Sequence, residues 1–159
     1  MSPYADTNFF TRYYLELAES PQVLMLAEEA ERVKAPPLPV TWLHRIELGN
    51  ALQLRLFQGR QPGHPRVTPE QAAAAMATFR EDLRARQLLR AAGLPTEDVE
   101  RQCEELSLRH TARHGFRTYD LLHVSSALLL GCDTFWSFAP KANALADLAG
   151  LAIPAAPSA

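Results

Sequence analysis

Arg113-His114-Gly115-Phe116-Arg117-Thr118-Tyr119-Asp120-Leu121-Leu122-His123-Val124-Ser125-Ser126-Ala127-Leu128-Leu129-Leu130 is the stretch on which the fold turns. It predicts the end of one helix, a stop at Gly115, a short link and a new helix starting near Asp120. At about 100° per residue, Leu121, Leu122, Val124, Ala127, Leu128 and Leu129 leave that helix no wide polar stripe. It is therefore expected to be buried on more than one face. Its first turn nevertheless carries Asp120. A carboxylate entering such a helix is costly unless it is paired, hydrogen-bonded or bound to a cation. Two readings stand side by side. Asp120 either caps the helix and complements its dipole, or it belongs to a site whose other members lie elsewhere in the chain.

The totals bound the possibilities. A chain of 159 residues, 47% hydrophobic and 21% charged, fits one globular domain with its own core. The expected domain spans 1–153, with 154–159 as a flexible tail. No run approaches the roughly 18 apolar residues of a membrane span, and no basic-then-apolar leader precedes the first strand. A cytoplasmic protein without membrane association is the expectation. Cys103 and Cys132 stand far apart with no metal-type spacing, and read as reduced core residues. A net charge of -2 excludes coating of nucleic acid by bulk charge, though not a local basic surface.

Working outward, Pro3 to Asp6 is a short strand candidate that reaches a carboxylate at its end. Phe9, Phe10, Tyr13, Tyr14 and Leu17 are spaced for one helical face, and Pro21 restarts a helix to about Val33. These aromatics exceed what one stripe needs, so some are expected at an interface. Val40 to Trp42 is β-prone, and the helix from about His44 to Phe57 carries Glu47 in its expected first turn. Thr68-Pro69-Glu70-Gln71 is a capping-box start for a helix to about Arg84. Leu88 and Leu89 read as helix tail or short strand. A helix follows from about Glu97 to His114, then the Asp120 helix, a strand in Asp133 to Phe138, a helix from Pro140 to Leu148, and a last strand at Gly150 to Ile153.

Short apolar strands separated by helices imply a mostly parallel sheet of about five strands, covered on both faces in a three-layer α/β/α sandwich. Sites in such sheets form beyond the carboxyl ends of the strands. Asp6, Glu47 and Asp120 all hold that position. Three acids converging there repel one another unless a cation sits between them. A site of few carboxylates and much water suits Mg²⁺, with a substrate phosphate completing the shell.

With those residues in place, the chain resembles the PIN domains, and among them the VapC-type toxins. Tyr4-Ala5-Asp6-Thr7-Asn8, Trp42-Leu43-His44-Arg45-Ile46-Glu47 and Arg117 to Ala127 resemble the segments carrying the first three acids. Gly131 to Phe138 resembles the strand leading to the fourth. The motifs occur in order over essentially the whole chain. The resemblance implies a Mg²⁺- or Mn²⁺-dependent endoribonuclease, the toxin of a type II toxin–antitoxin pair, cleaving RNA by metal-activated water. Asp6, Glu47 and Asp120 would be catalytic and hold the metal. Thr7, Asn8, Ser137 and Asn143 would assist, and Arg45 and Arg117 would meet RNA phosphates. A small antitoxin protein and a homodimer are the implied partners, the antitoxin docking on the early helices and the 70–84 helix.

One departure matters. The family reads Thr-Phe-Asp where this chain has Ser137-Phe138-Ala139. Asp133 lies roughly 13 Å back along the same strand and does not replace the missing acid. Ser137 and Asn143 offer neutral oxygens, but no charge. A weak, Mn²⁺-favouring or metal-hungry enzyme is expected. The alternative is a degenerate PIN domain that binds RNA or a protein partner with little or no cleavage. His110 and His114 lack the Glu of a metal-binding helix motif and read as a solvated face. His123 either touches the site or is a hydrogen-bonded histidine near the core.

Overall fold

The computed structural model describes residues 1–15 and 20–154, and of Ser20 and Gln22 only the backbone. Leu17, assigned above to the first helix, and the tail 155–159 lie outside them. The elements run β1 (Pro3–Ala5), α1 (Thr7–Leu15), α2 (Ser20–Arg32), β2 (Leu38–Val40), α3 (Trp42–Gln58), α4 (Pro69–Ala85), β3 (Leu89–Ala91) and α5 (Thr96–Leu106). A π-helical turn at Ser107–Thr111 joins α5 to the short α6 (Ala112–His114), and α7 (Thr118–Leu129), β4 (Thr134–Trp136) and α8 (Pro140–Leu148) complete the order.

Among the described residues the strand pairing is parallel, as expected, but four short strands in two small sheets stand where one sheet of about five was expected. Among the described residues, β1 pairs with β4, with Tyr4 opposite Phe135, and β2 pairs with β3, with Pro39 opposite Arg90. The expected last strand is reduced to one bridge, Thr134 to Ala152. The strand placed at Val40–Trp42 lies earlier, and of Leu88 and Leu89 only Leu89 enters β3.

The gap between β1 and β2 has a chemical reason. Leu38 N–H bonds the Leu88 carbonyl and the Val40 carbonyl accepts from Ala92 N–H, so residues 38 and 40 direct their polar groups to β3. Alternation points position 39 the other way, toward β1, and Pro39 has no N–H to give. On the β1 side, Asp6 N–H bonds the Trp136 carbonyl, leaving the Ala5 carbonyl facing β2. His44 Nε2 takes it at 2.9 Å. His44 Nδ1 accepts from Thr41 N–H at 3.0 Å, which fixes Nε2 as the protonated nitrogen. A neutral imidazole thus stands where a ladder rung is missing. Burial, with the nearby His123, pushes its pKa down to about 3.

Side-chain alternation divides the interior into two cores. Ala5, Val40, Leu89 and Trp136 join Phe9, Phe10, Leu48, Leu52 and Phe79 on the α1–α3–α4 side. Tyr4 and Phe135 join Val124, Ala127, Leu145 and Leu151 on the α7–α8 side. Neighbouring residues of β1 and β4 therefore serve opposite layers. Phe9 and Phe10 are core, while Tyr13 and Tyr14 pack partly buried against it. Thr68 caps α4 through the expected capping box, accepting from Gln71 N–H while Gln71 Oε1 accepts from Thr68 N–H. Gly115 ends α6 in the left-handed conformation at φ 67°. Both cysteines are free. No helix of the described residues is long and apolar enough to cross a membrane.

Candidate active site

Asp6 is the first residue past β1 and the N-cap of α1. Its Oδ1 accepts from the N–H groups of Asn8 and Phe9 at 3.1 and 3.2 Å. Its Oδ2 accepts from Asn8 Nδ2 at 2.9 Å and from Ser137 Oγ at 2.5 Å. Four donors hold the carboxylate, yet burial wins and raises its pKa to about 6, against the lowering effects of His123, Ser137 and the two backbone N–H groups. The Asp6 side chain thus caps α1.

Glu47 corrects an expectation. The helix begins at Trp42 with Thr41 as N-cap, and its first turn holds no acid. Glu47 is one turn further in, so complementing the dipole does not explain it. Its Oε2 accepts from Thr7 Oγ1 at 2.7 Å and from His123 Nε2 at 2.5 Å. Burial raises its pKa, but the two His123 effects and the Thr7 hydroxyl outweigh that and leave it below the ordinary value. The acceptor-only carboxylate fixes the His123 proton on Nε2. In the neutral ring, Nδ1 then accepts from the Tyr4 hydroxyl at 2.9 Å.

Asp120 sits in the third position of α7, which starts at Thr118 rather than near Asp120 itself. Its Oδ2 accepts from Arg117 N–H at 3.0 Å, which is the capping bond. The carboxyl group is half-buried, one turn before the buried His123.

The three acids line one cleft of about 710 Å³ between α1, α3, α7 and the start of α8. Thr7, Asn8, His123 and Ala139 line it with them. Asn8 ties the cleft wall to the end of β4, its Oδ1 accepting from Phe138 N–H at 3.0 Å. Ser137 sits behind Asp6, donating to it and accepting from Ala139 N–H at 2.9 Å. Asn143 stands outside the cleft lining and donates to the Ser137 carbonyl at 3.0 Å, while its Oδ1 is buried without a partner among the described residues. Arg45 and Arg117 are exposed and do not line the cleft; Arg12 and Arg55 do. Asp133 is exposed at the far end of β4, held by Ser2 N–H and the Thr134 hydroxyl.

Ala139 occupies the N-cap of α8, with φ -94° and ψ 114° and no side-chain bond to the free N–H groups. That is the helix position where a carboxylate is most at home. The methyl group of Ala139 faces the cleft instead.

The chemistry of the donor set bears on a divalent cation. Three carboxylates share the cleft and, among the described residues, none pairs with Lys or Arg; the one ion-pair partner is His123. A buried Asp6 held near its charging point is stabilised by any cation brought to it. Among the described residues no three His, Cys, Asp or Glu side chains come together as a group that could hold a metal ion by themselves. Mg²⁺ does not require one, since it commonly keeps water and uses one or two carboxylates with substrate phosphates. The residues fit such an ion on the chemistry of their donors.

His123 and Thr7 were the less legible members. The signal for His123 was its place three residues after Asp120, on the same side of the helix.

No protein-family model matches the chain, and neither does any curated protein. In three dimensions it matches the crystal structure of Mycobacterium tuberculosis VapC20, a sarcin-ricin loop cleaving toxin, with a TM-score of 0.58 and 19% identity. The match covers 95% of this chain and 97% of that one. The two proteins share a fold over nearly their whole lengths.

Proposed function

We propose that this protein is a PIN-type, metal-dependent endoribonuclease, the toxin of a toxin–antitoxin pair. One observation carries the reading: Asp6, Glu47 and Asp120, far apart in sequence, line a single cleft without Lys or Arg partners among the described residues. VapC20, a sarcin-ricin loop cleaving toxin, supports it by likeness of fold. Asp6, Glu47 and Asp120 would hold Mg²⁺ or Mn²⁺, which when bound supplies Lewis-acid stabilisation and an activated water for phosphodiester cleavage. The protein's own part is orientation. His123 and Thr7 fix one oxygen of Glu47, and Ser137, Asn8 and two backbone N–H groups fix Asp6. Preset carboxylates do not need to reorganise when charge develops on the scissile phosphate.

A small antitoxin is the proposed protein partner. An apolar groove of about 490 Å³ lined by Tyr13, Tyr14, Leu24 and Leu88 lies between α1, α2 and the 34–38 segment; it supports docking on the early helices, and no residue of α4 lines it. A homodimer and a cytoplasmic location belong to the same proposal.

The test is hydrolysis of RNA in Mg²⁺ and in EDTA, with protein freed of any antitoxin, by the native chain and by Asp120→Asn. Cleavage that depends on the metal and is lost in the variant is the expected result. Cleavage that survives Asp120→Asn refutes the site.

A second reading is favoured by Ala139. With a methyl group at the cleft-facing N-cap, the site is one acid short. A chain that binds RNA or a protein partner without cleaving would show RNA affinity with no products in either Mg²⁺ or Mn²⁺.

A further inference from the structure

The cleft has features that the three acids do not use. Arg55 lies two helical turns beyond Glu47 on the same stripe of α3, with the small Ala51 between them, and all three line the cleft. Eight residues at 1.5 Å put their backbones about 12 Å apart along the helix. Arg55 is half-buried, and among the described residues it has no carboxylate partner and no hydrogen bond from its side chain. A guanidinium partly withdrawn from water in a cleft calls for an anion. Across the cleft, Tyr119 precedes Asp120 and is 58% exposed while lining the same space. A large aromatic ring left open beside a polar site has a face free for stacking.

The geometry points to a two-sided grip on the nucleic-acid strand, resting on the nuclease reading above. Arg55 takes a backbone phosphate neighbouring the one at the acids, and Tyr119 stacks an unpaired base next to the scissile bond. Both are substrate-positioning residues. Arg55 replaces Arg45 and Arg117 as the expected phosphate contact, because those two lie outside the cleft. The division of labour follows from chemistry. A phosphate contact releases counterions and is salt-dependent, whereas a stacked base contributes affinity with little change in salt dependence.

The experiment measures binding of a fluorescent single-stranded RNA oligomer by anisotropy, in Mg²⁺, over a salt series. Asp120→Asn is the background in every arm, so that cleavage does not interfere. Arg55→Ala is expected to weaken binding and to reduce the salt slope by about one. Arg55→Lys restores the slope, and Arg45→Ala leaves both affinity and slope unchanged. Tyr119→Ala is expected to weaken binding about tenfold with the slope retained, and Tyr119→Phe to bind like the background protein. Both side chains are on the surface side of their helices, and matched thermal melts confirm folded variants. An unchanged slope in Arg55→Ala, or a loss of slope in Arg45→Ala, overturns the assignment while leaving the nuclease reading intact. Binding with this signature by a chain that does not cleave in native form overturns the nuclease reading and leaves the grip standing. A protein that binds no RNA oligomer overturns the grip.

Discussion

Ala139 is where one side chain separates two effects. As the N-cap of α8 it leaves free N–H groups without a side-chain acceptor. An Asp there would cap the helix, worth about 1 kcal/mol, and would add a fourth carboxylate to the cleft. In EDTA the added charge opposes the gain from capping, since Asp6 already ionises reluctantly. In Mg²⁺ both effects favour the folded state. Ala139→Asp should therefore show a larger rise in melting temperature on adding Mg²⁺ than the native chain, and half-maximal RNA cleavage at lower Mg²⁺. Superimposable Mg²⁺ titrations would show that position 139 has no part in the site. His123 makes the second case. Its Nε2 holds Glu47, and its Nδ1 is hydrogen-bonded to the buried Tyr4 hydroxyl. His123→Leu should cost about 1–3 kcal/mol by stranding that hydroxyl and should raise the metal requirement. His123→Gln keeps a donor for Glu47 and should recover part of the metal dependence, though not all of the stability. A Leu variant with an unaltered Mn²⁺ titration would limit His123 to a structural role. These residues were legible to different depths. Asp6, Glu47 and Asp120 announce themselves as acids at strand ends or helix starts, whereas Thr7 and Ser137 are ordinary hydroxyls until the fold brings them against a carboxylate.

Among the elements, the join between β1 and α3 is the most informative. Pro39 withholds an N–H on the side facing β1, and His44 supplies its own to the Ala5 carbonyl. This rung works only while His44 is neutral, because Nδ1 must accept from Thr41 N–H. Its pKa is depressed from the ordinary 6.5 to about 3 by burial. The stability it contributes is thus fully present above about pH 6.5 and is lost as the pH falls toward 3. Asp6 acts in the opposite sense, since its raised pKa of about 6 favours the folded state at lower pH. The two partly offset, so the prediction is comparative. The guanidinium midpoint should fall between pH 7 and pH 4 by more in the native chain than in His44→Gln, which keeps a donor for Ala5 but cannot protonate. Equal falls would remove His44 from the account. Helix starts were readable where they rest on local bonding, as at Thr68 with Gln71. The start of α3 was misplaced by two residues, and with it the position of Glu47. Thr41 was read as strand because its side chain is β-branched, while its part as the N-cap depends on the turn that follows. The π-helical turn at Ser107–Thr111 leaves no mark in an apolar pattern that runs on as helix.

At the scale of the molecule, the thin sheet is a partition between two cores. Leu48 belongs to the core shared by α1, α3 and α4, and Leu145 to the one shared by α7 and α8. Both are fully buried. Leu48→Ala and Leu145→Ala should each cost about 2–5 kcal/mol. Since the two residues belong to separate core clusters, their costs should add within about 0.5 kcal/mol in the double variant. Chemical denaturation of the four chains tests this, and a coupling well above that value would mean one continuous core. The partition also explains the location of the cleft. Strand ends from both cores converge there, so acids carried by α1, α3 and α7 meet although their helices pack in different layers.

The missing fourth acid was legible only through the resemblance to the PIN domains; by itself the sequence determined the alternation of short apolar strands with helices, the parallel pairing that follows from it and the three acids. Those are matters of periodicity, local capping chemistry and residue type, which are written along the chain. Only the tertiary structure decided that the sheet splits at Pro39, that Glu47 is held by His123 and Thr7, and that Arg55 rather than Arg45 faces the cleft. The reason is physical. Those outcomes depend on which backbone and side-chain groups face one another across residues distant in sequence, and no local pattern encodes that until the helices have packed.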